Sequence, residues 1–208
     1  LLMSFLAYWI HRWGHTWGWF WQAHRFHHAA TEMNMVTCMR VHPLEGAVDG
    51  LITIFPMTVF GAEAVGPVAA VVVIRLMHSL LIHSTVAWAW GWAGRYVICS
   101  PRHHHIHHSI SNEHLGSNFA GQFIVWDWMF GTRYTGSVEP ERYGIKVDPF
   151  ERMGFFRGLV YATWRTYEEL AITLVRAFSP RRRSGGAVVE PPLDAQPSTR
   201  ISQLGAQA

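Results

Sequence analysis

Two copies of an H-x-x-H-H spacing and one H-x-x-x-H constrain this chain more than any other feature. His104, His107 and His108 of "HHIHH" stand at i, i+3 and i+4, and His24, His27 and His28 of "HRFHH" repeat that spacing. Just upstream, "HRWGH" places His11 and His15 at i and i+4. On a helix, side chains at these separations project from one face, so each set is read as a one-faced array aimed at a single point. Imidazole suits zinc, copper, iron and nickel, and one such ion rarely takes more than about six ligands. Eight converging imidazoles therefore predict two metal ions on a helical scaffold.

The other chemistries that histidine serves are excluded by pattern. An expression tag is a terminal, uninterrupted run, whereas these sets are internal and spaced. Zinc proteolysis needs H-E-x-x-H, and a carboxylate-bridged di-iron bundle needs Glu-x-x-His pairs; the chain has neither. Cys38 and Cys99 are the only cysteines and form no C-x-x-C, so they read as reduced thiols. A net charge of +3, scattered along the chain, gives no case for nucleic acid.

Composition points to a membrane. Half of the 208 residues are hydrophobic and 15% are charged, against about 25% in an average soluble domain. The chain opens inside an apolar run, "LLMSFLAYWI", which reads as the end of a helix whose beginning is missing. Between Leu51 and His83 lies the longest apolar region, interrupted by Pro56, a "GAEAVGP" turn and Arg75. A spanning helix needs about 20 apolar residues, so this region predicts a hairpin that enters and returns, with Glu63 near its tip. Trp17, Trp19, Trp21, Trp88, Trp90 and Trp92 cluster beside the histidine sets and suit an interfacial belt. Arg12, Arg25, Arg40, Arg95 and Arg102 flank those sets while the tip carries no arginine. Positive residues favour the cytoplasmic side, so the metal site is expected to face the cytosol.

Three segments follow. Residues 1–150 are read as the metal-bearing domain, with its N-terminal membrane helices expected to be missing. Residues 151–178 are amphipathic and read as one long interfacial helix or two shorter ones. Residues 179–208 lose their aromatics and gain Pro, Gly and Ser, the composition of a disordered tail.

In order along the chain, "HRWGH", "HRFHH", "HSTVAW", "HHIHH" and "WDWMFGT" resemble the signature of the membrane-bound fatty acid hydroxylase and sterol desaturase superfamily. "EMNMVTCMRVHPLE" and "NFAGQFIVWDWMFGT" are similar to its sterol-desaturase branch. The resemblance covers residues 1–132. It implies an all-α integral membrane fold, with an apolar helical hairpin and a cytosolic, histidine-rich di-metal cap. The ligands it implies are His11, His15, His24, His27, His28, His83, His104, His107 and His108, leaving His103 and His105 as bystanders. His78 lies five residues before His83, about 140° around a helix, and joins only if the helix is irregular there. His42 is open to a ligand or a supporting role. Glu45 is expected to orient a histidine through a hydrogen bond. His114 reads as a loop residue, Trp126 and Phe130 as packing. Asp127 is open between packing and accepting an N–H from a ligating imidazole.

By the same resemblance the cofactor is two iron ions, as Fe2+, with zinc able to replace them in a purified sample. Such a pair uses O2 and two external electrons to attack an unactivated C–H of a membrane lipid, whether sterol, fatty acyl or related, giving an alcohol or an alkene. The chain carries no C-x-x-C-H, no cysteine set for an iron–sulfur cluster and no Gly-rich dinucleotide fingerprint. Electrons are therefore expected from a cytochrome b5-like protein, a ferredoxin or a flavin reductase. The rival is a membrane protein that binds or stores transition metal without catalysis. That role calls for histidines along a path within the membrane, whereas these lie on arginine-flanked polar segments.

Overall fold

The histidine spacings and the apolar runs each become helices. In the computed structural model, which describes residues 1–178, α1 (Leu2–Thr16) and α2 (Gly18–His28) are separated by Trp17 alone. The extended backbone of Trp17, φ −97° and ψ 118°, ends the first helix and turns α2 back against it. The contact is close because Gly14 has no side chain: a Cβ there would stand 3.1 Å from Cγ of His24. The tail at 179–208, read as disordered from the sequence, lies outside the described residues.

α3 (Pro43–Phe60) and α4 (Val65–Ile82) form the apolar hairpin, joined by a 3-10 turn at Gly61–Ala64 that contains Glu63. Gly61 adopts φ +68°, a conformation that costs glycine little and other residues more. An Arg75–Asp49 ion pair of 2.7 Å joins residues 26 positions apart, about 39 Å along a straight helix. The two arms must therefore run antiparallel. Each arm has 18 residues and rises about 27 Å, close to the roughly 30 Å hydrocarbon core of a bilayer. Pro56 sits inside α3 without ending it. The run Pro43–Ile82 is long and apolar enough to cross a membrane, and little of it is buried; Leu51, Phe60, Ile74 and Met77 are among its exposed side chains.

α3 starts at a capping box. His42 accepts the Leu44 amide through Nδ1, and the Glu45 carboxylate accepts the His42 amide, satisfying donors that a helix start leaves open. α5 (Gly91–Tyr96) and α6 (Pro101–His107) follow the hairpin. α6 begins with Ser100, whose hydroxyl accepts the His103 amide, and with Pro101 in the first turn. A long loop leads to α7 (Val125–Met129) and then to α8 (Phe155–Phe178), one helix where the sequence left one or two. Gly158, Ala162 and Thr166 are its buried face; Ala162 packs with Phe26 of α2 and with Phe150. Among the described residues strand pairing is limited to isolated bridges, Ile98 with Phe123 and Ser109 with Tyr143.

Candidate metal centre

Nine imidazoles gather at the root of the hairpin in two groups. His11, His15, His24, His28 and His107 form one, and His27, His83, His104 and His108 the other; within each, the candidate ligand atoms lie within 4.8 Å of one another. The groups adjoin, with the His28 and His108 rings stacked at 4.3 Å. All nine histidines named from the resemblance are brought together here. The expectation that each H-x-x-H-H set converges on one point is corrected. α2 sends His24 and His28 to the first group and His27 to the second, whereas α6 sends His104 and His108 to the second and His107 to the first. The physical reason is angular: positions i+3 and i+4 are about 100° apart around a helix, so one point cannot take both. The i, i+4 pairs stay together, with Nε2 atoms 3.1 Å apart in both His24–His28 and His104–His108.

Four rings are locked in one tautomer. His11 Nδ1 donates to the Phe119 carbonyl at 2.6 Å, His107 Nδ1 to the Ser117 carbonyl at 2.9 Å, and His83 Nδ1 to the Ser79 carbonyl at 2.7 Å. His24 Nδ1 donates to the Glu45 carboxylate at 2.5 Å. These acceptors have no proton to give, so each of the four presents a bare Nε2 lone pair inward. His83 Nε2 meets two other Nε2 atoms, those of His104 at 2.9 Å and His27 at 3.2 Å. His107 Nε2 likewise meets that of His28 at 3.2 Å. Lone pairs crowded in this way call for a cation. Two nitrogens about 2.1 Å from one ion, at right angles, stand about 3.0 Å apart, close to the spacing found. The residues present therefore fit a metal ion in each group.

Burial favours the neutral form of His28, His83, His107 and His108. It pushes His28, His107 and His108 well below the ordinary histidine range, with neighbouring imidazoles adding to the effect, and lowers His83 to about 4. Neutral imidazole is the ligating form.

The remaining sequence candidates lie outside the two groups. His78 Nε2 donates to the Cys99 carbonyl at 2.8 Å, tying α4 to the segment before α6. His42 Nε2 donates to Thr163 of α8 at 2.9 Å. Glu45 is the acceptor for His24 Nδ1. Asp127 is fully buried, but no grouped imidazole reaches it. Its carboxylate accepts the Phe119 and Ala120 amides at 2.9 and 3.0 Å, the Thr132 hydroxyl at 2.6 Å and His103 Nε2 at 3.1 Å. His103 and His105 are buried supports, His105 lying between Tyr143 and the Ser84 carbonyl. His114 belongs to a loop and donates to the Val138 carbonyl at 3.1 Å. Trp126 and Phe130 pack around Tyr8 and Phe119. Sequence reasoning missed the carbonyls of Ser79, Ser117 and Phe119, because a backbone acceptor leaves no mark in residue identity.

The fatty acid hydroxylase family model matches residues 1–132. The chain belongs to the fatty acid hydroxylase family. Within it, the chain is similar to alkylglycerol monooxygenase from Homo sapiens, 27% identical over 79% of this chain and 36% of the relative. The Caenorhabditis elegans alkylglycerol monooxygenase is 30% identical over 68% of this chain and 28% of its own length. A very-long-chain aldehyde decarbonylase from Oryza sativa is 27% identical over 63% of this chain and 48% of the relative. The chain thus spans about a third of the length of the alkylglycerol monooxygenases it matches. No solved structure matches it.

Proposed function

We propose that the two imidazole groups hold two iron ions in an O2-dependent oxidoreductase that hydroxylates or desaturates a C–H of a membrane lipid. One observation carries this: two adjoining, all-imidazole sites with inward lone pairs lie at the root of an exposed apolar hairpin. Bound there as a ferrous pair, iron supplies the O2 chemistry that attacks an unactivated C–H bond.

The chain's own residues do the positioning. Ser79, Ser117 and Phe119 carbonyls and the Glu45 carboxylate hold four Nδ1 protons outward, which fixes ring orientation and raises ligand basicity. Burial of the rings keeps bulk water from competing for the ions. Lipid reaches the site along the exposed hairpin. Alkylglycerol is favoured over a very-long-chain aldehyde as the substrate class, because alkylglycerol monooxygenases from four organisms match this chain, over 60 to 79% of its length. The arginines flanking the histidine segments favour a site that faces the cytosol, where an external donor delivers electrons. A storage role is disfavoured: it calls for histidines along a path within the membrane, and among the described hairpin arms His78 is the one histidine.

The test is metal analysis of the full chain made anaerobically, followed by lipid analysis of cells with and without it. About two irons per chain and a new hydroxylated, cleaved or unsaturated lipid are expected. Zinc-only protein from anaerobic iron-replete cells, with an unchanged lipid profile, would reject the proposal in favour of metal binding alone.

A further inference from the structure

α8 carries a second apolar surface that its packing does not use. Phe156, Val160, Trp164, Tyr167, Leu174 and Phe178 are all exposed, Phe156 at 79%, Trp164 at 61% and Phe178 at 84%. At 100° per residue they fall in an arc about 80° wide, running about 33 Å along the helix. The buried face, Gly158, Ala162 and Thr166, lies about 160° away. All five charged residues of the helix, Arg157, Arg165, Glu168, Glu169 and Arg176, share an arc about 120° wide that lies between the stripe and the buried face and overlaps the edge of the latter by about 20°.

One hydrogen bond fixes which way these arcs point. Thr163, near the middle of α8, accepts from Nε2 of His42 at 2.9 Å, and His42 is the N-cap of α3. The root of the apolar hairpin therefore abuts α8 on the side of Thr163. The centre of the charged arc lies about 180° from Thr163 around the helix, while the apolar stripe lies about 60° from it. Charges occur along the whole length of α8 on that one side, which a helix inserted end-on into a bilayer would not tolerate. Arg165 is paired with Glu168 and with Glu169 inside the charged arc, and exposed Arg157 borders the stripe, where headgroup phosphates would meet it.

We infer that α8 lies in the plane of the bilayer that the hairpin enters, with its stripe at the boundary between phospholipid headgroups and acyl chains. The inference needs the hairpin to be in the membrane, and it does not depend on the reaction that the metal groups serve. It makes the cap a membrane-seated body held at two places, the hairpin root and a 24-residue helix.

The experiment uses the full chain in phospholipid nanodiscs, one copy per disc, with Cys38→Ser and Cys99→Ala. Single cysteines replace Val160 or Trp164 on the stripe, and Arg165 or Glu168 on the charged arc, each carrying an environment-sensitive fluorophore. Lipids bearing a shallow acyl-chain quencher are expected to quench the stripe positions at least threefold more than the charged positions, with blue-shifted emission from the stripe. Equal quenching on both arcs would overturn the inference. So would blue-shifted emission at the stripe without lipid quenching, which would mean that protein covers it. Two positions per arc guard against one variant that misfolds.

Discussion

The Asp127 carboxylate holds the Phe119 amide at 2.9 Å, and the carbonyl of that same residue takes the Nδ1 proton of His11 at 2.6 Å. Asp127 therefore acts on the first imidazole group from one step away. The strap it pins also carries the Ser117 carbonyl that orients His107. Asn118 sits between them at φ +58°, with its side chain donating to the His103 carbonyl and accepting the Tyr134 amide.

Replacing Asp127 by Asn leaves the shape but turns one acceptor oxygen into a donor facing amide N–H groups. The five-histidine group is expected to lose metal affinity by about 10- to 100-fold, the usual cost of removing an outer support, while the four-histidine group keeps its ion. Competitive titration with a chromophoric chelator separates the two. A uniform loss from both groups would mean that Asp127 serves general folding instead.

The fold was legible where composition and periodicity carry it. The hairpin and its Glu63-containing turn followed from an apolar run with a Gly-Pro interruption. The nine histidines emerged from spacing plus family resemblance, because two H-x-x-H-H sets and an H-x-x-x-H stand in one short chain. Their division between two groups was hidden, since it depends on how α2 and α6 face one another and not on either helix alone. The roles of His42 and Asp127 were hidden for a related reason. His42 bonds to a residue 121 positions away, and Asp127 bonds chiefly to backbone amides. Short α5 and α7 had no periodic signal; α7 rests on tertiary bonds such as those from the Phe119 and Ala120 amides to Asp127.

His107 and His103 stand four residues apart on α6 and test the grouping directly. His107→Ala removes a nitrogen that meets His28 at 3.2 Å, and should abolish turnover and lower metal at the first group while leaving membrane insertion intact. His103→Ala removes one donor to buried Asp127, so it should lower the melting temperature by a few degrees, the effect of about 1–2 kcal/mol, and retain two metals. Equal metal loss in the two variants would reject the assignment.

Acid should unfold the metal-free protein through the same imidazoles. Their folded pKa values are depressed by burial, His83 to about 4 and His28, His107 and His108 well below the ordinary range, against about 6.5 when unfolded. The unfolded chain thus binds more protons between those limits. Stability is fully present above about pH 6.5 and is lost as pH falls toward the folded values, by up to about 1.4 kcal/mol per pH unit for each such histidine. Thermal melts of apo protein in detergent should show a midpoint that is flat from pH 7 to 8 and falls steeply below 6.5. A midpoint unchanged down to pH 5 would contradict this.

Electron supply is the last expectation. The sequence holds no haem, iron–sulfur or dinucleotide motif, and Cys38 and Cys99 are buried free thiols, so electrons are expected from an external donor. Of the arginines that flank the histidine segments, Arg40 is bound to the Phe26 carbonyl and Arg102 to Glu139. Arg95, and Arg133 just after the "WDWMFGT" segment, instead lie over the exposed rings of Tyr96 and Trp128, which stack at 6.2 Å. That basic and aromatic patch suits an acidic protein donor, whose docking is steered by charge and weakened by salt. Iron-loaded full chain with lipid and O2 should be inactive until a donor or chemical reductant is added, and the donor-supported rate should fall as salt rises. The double variant Arg95→Gln, Arg133→Gln should lower the donor-supported rate several-fold and leave the rate with dithionite unchanged, because no imidazole is disturbed. Sustained turnover without any reductant would sink the requirement for a donor, and an equal loss under both electron sources would move these arginines from docking to structure.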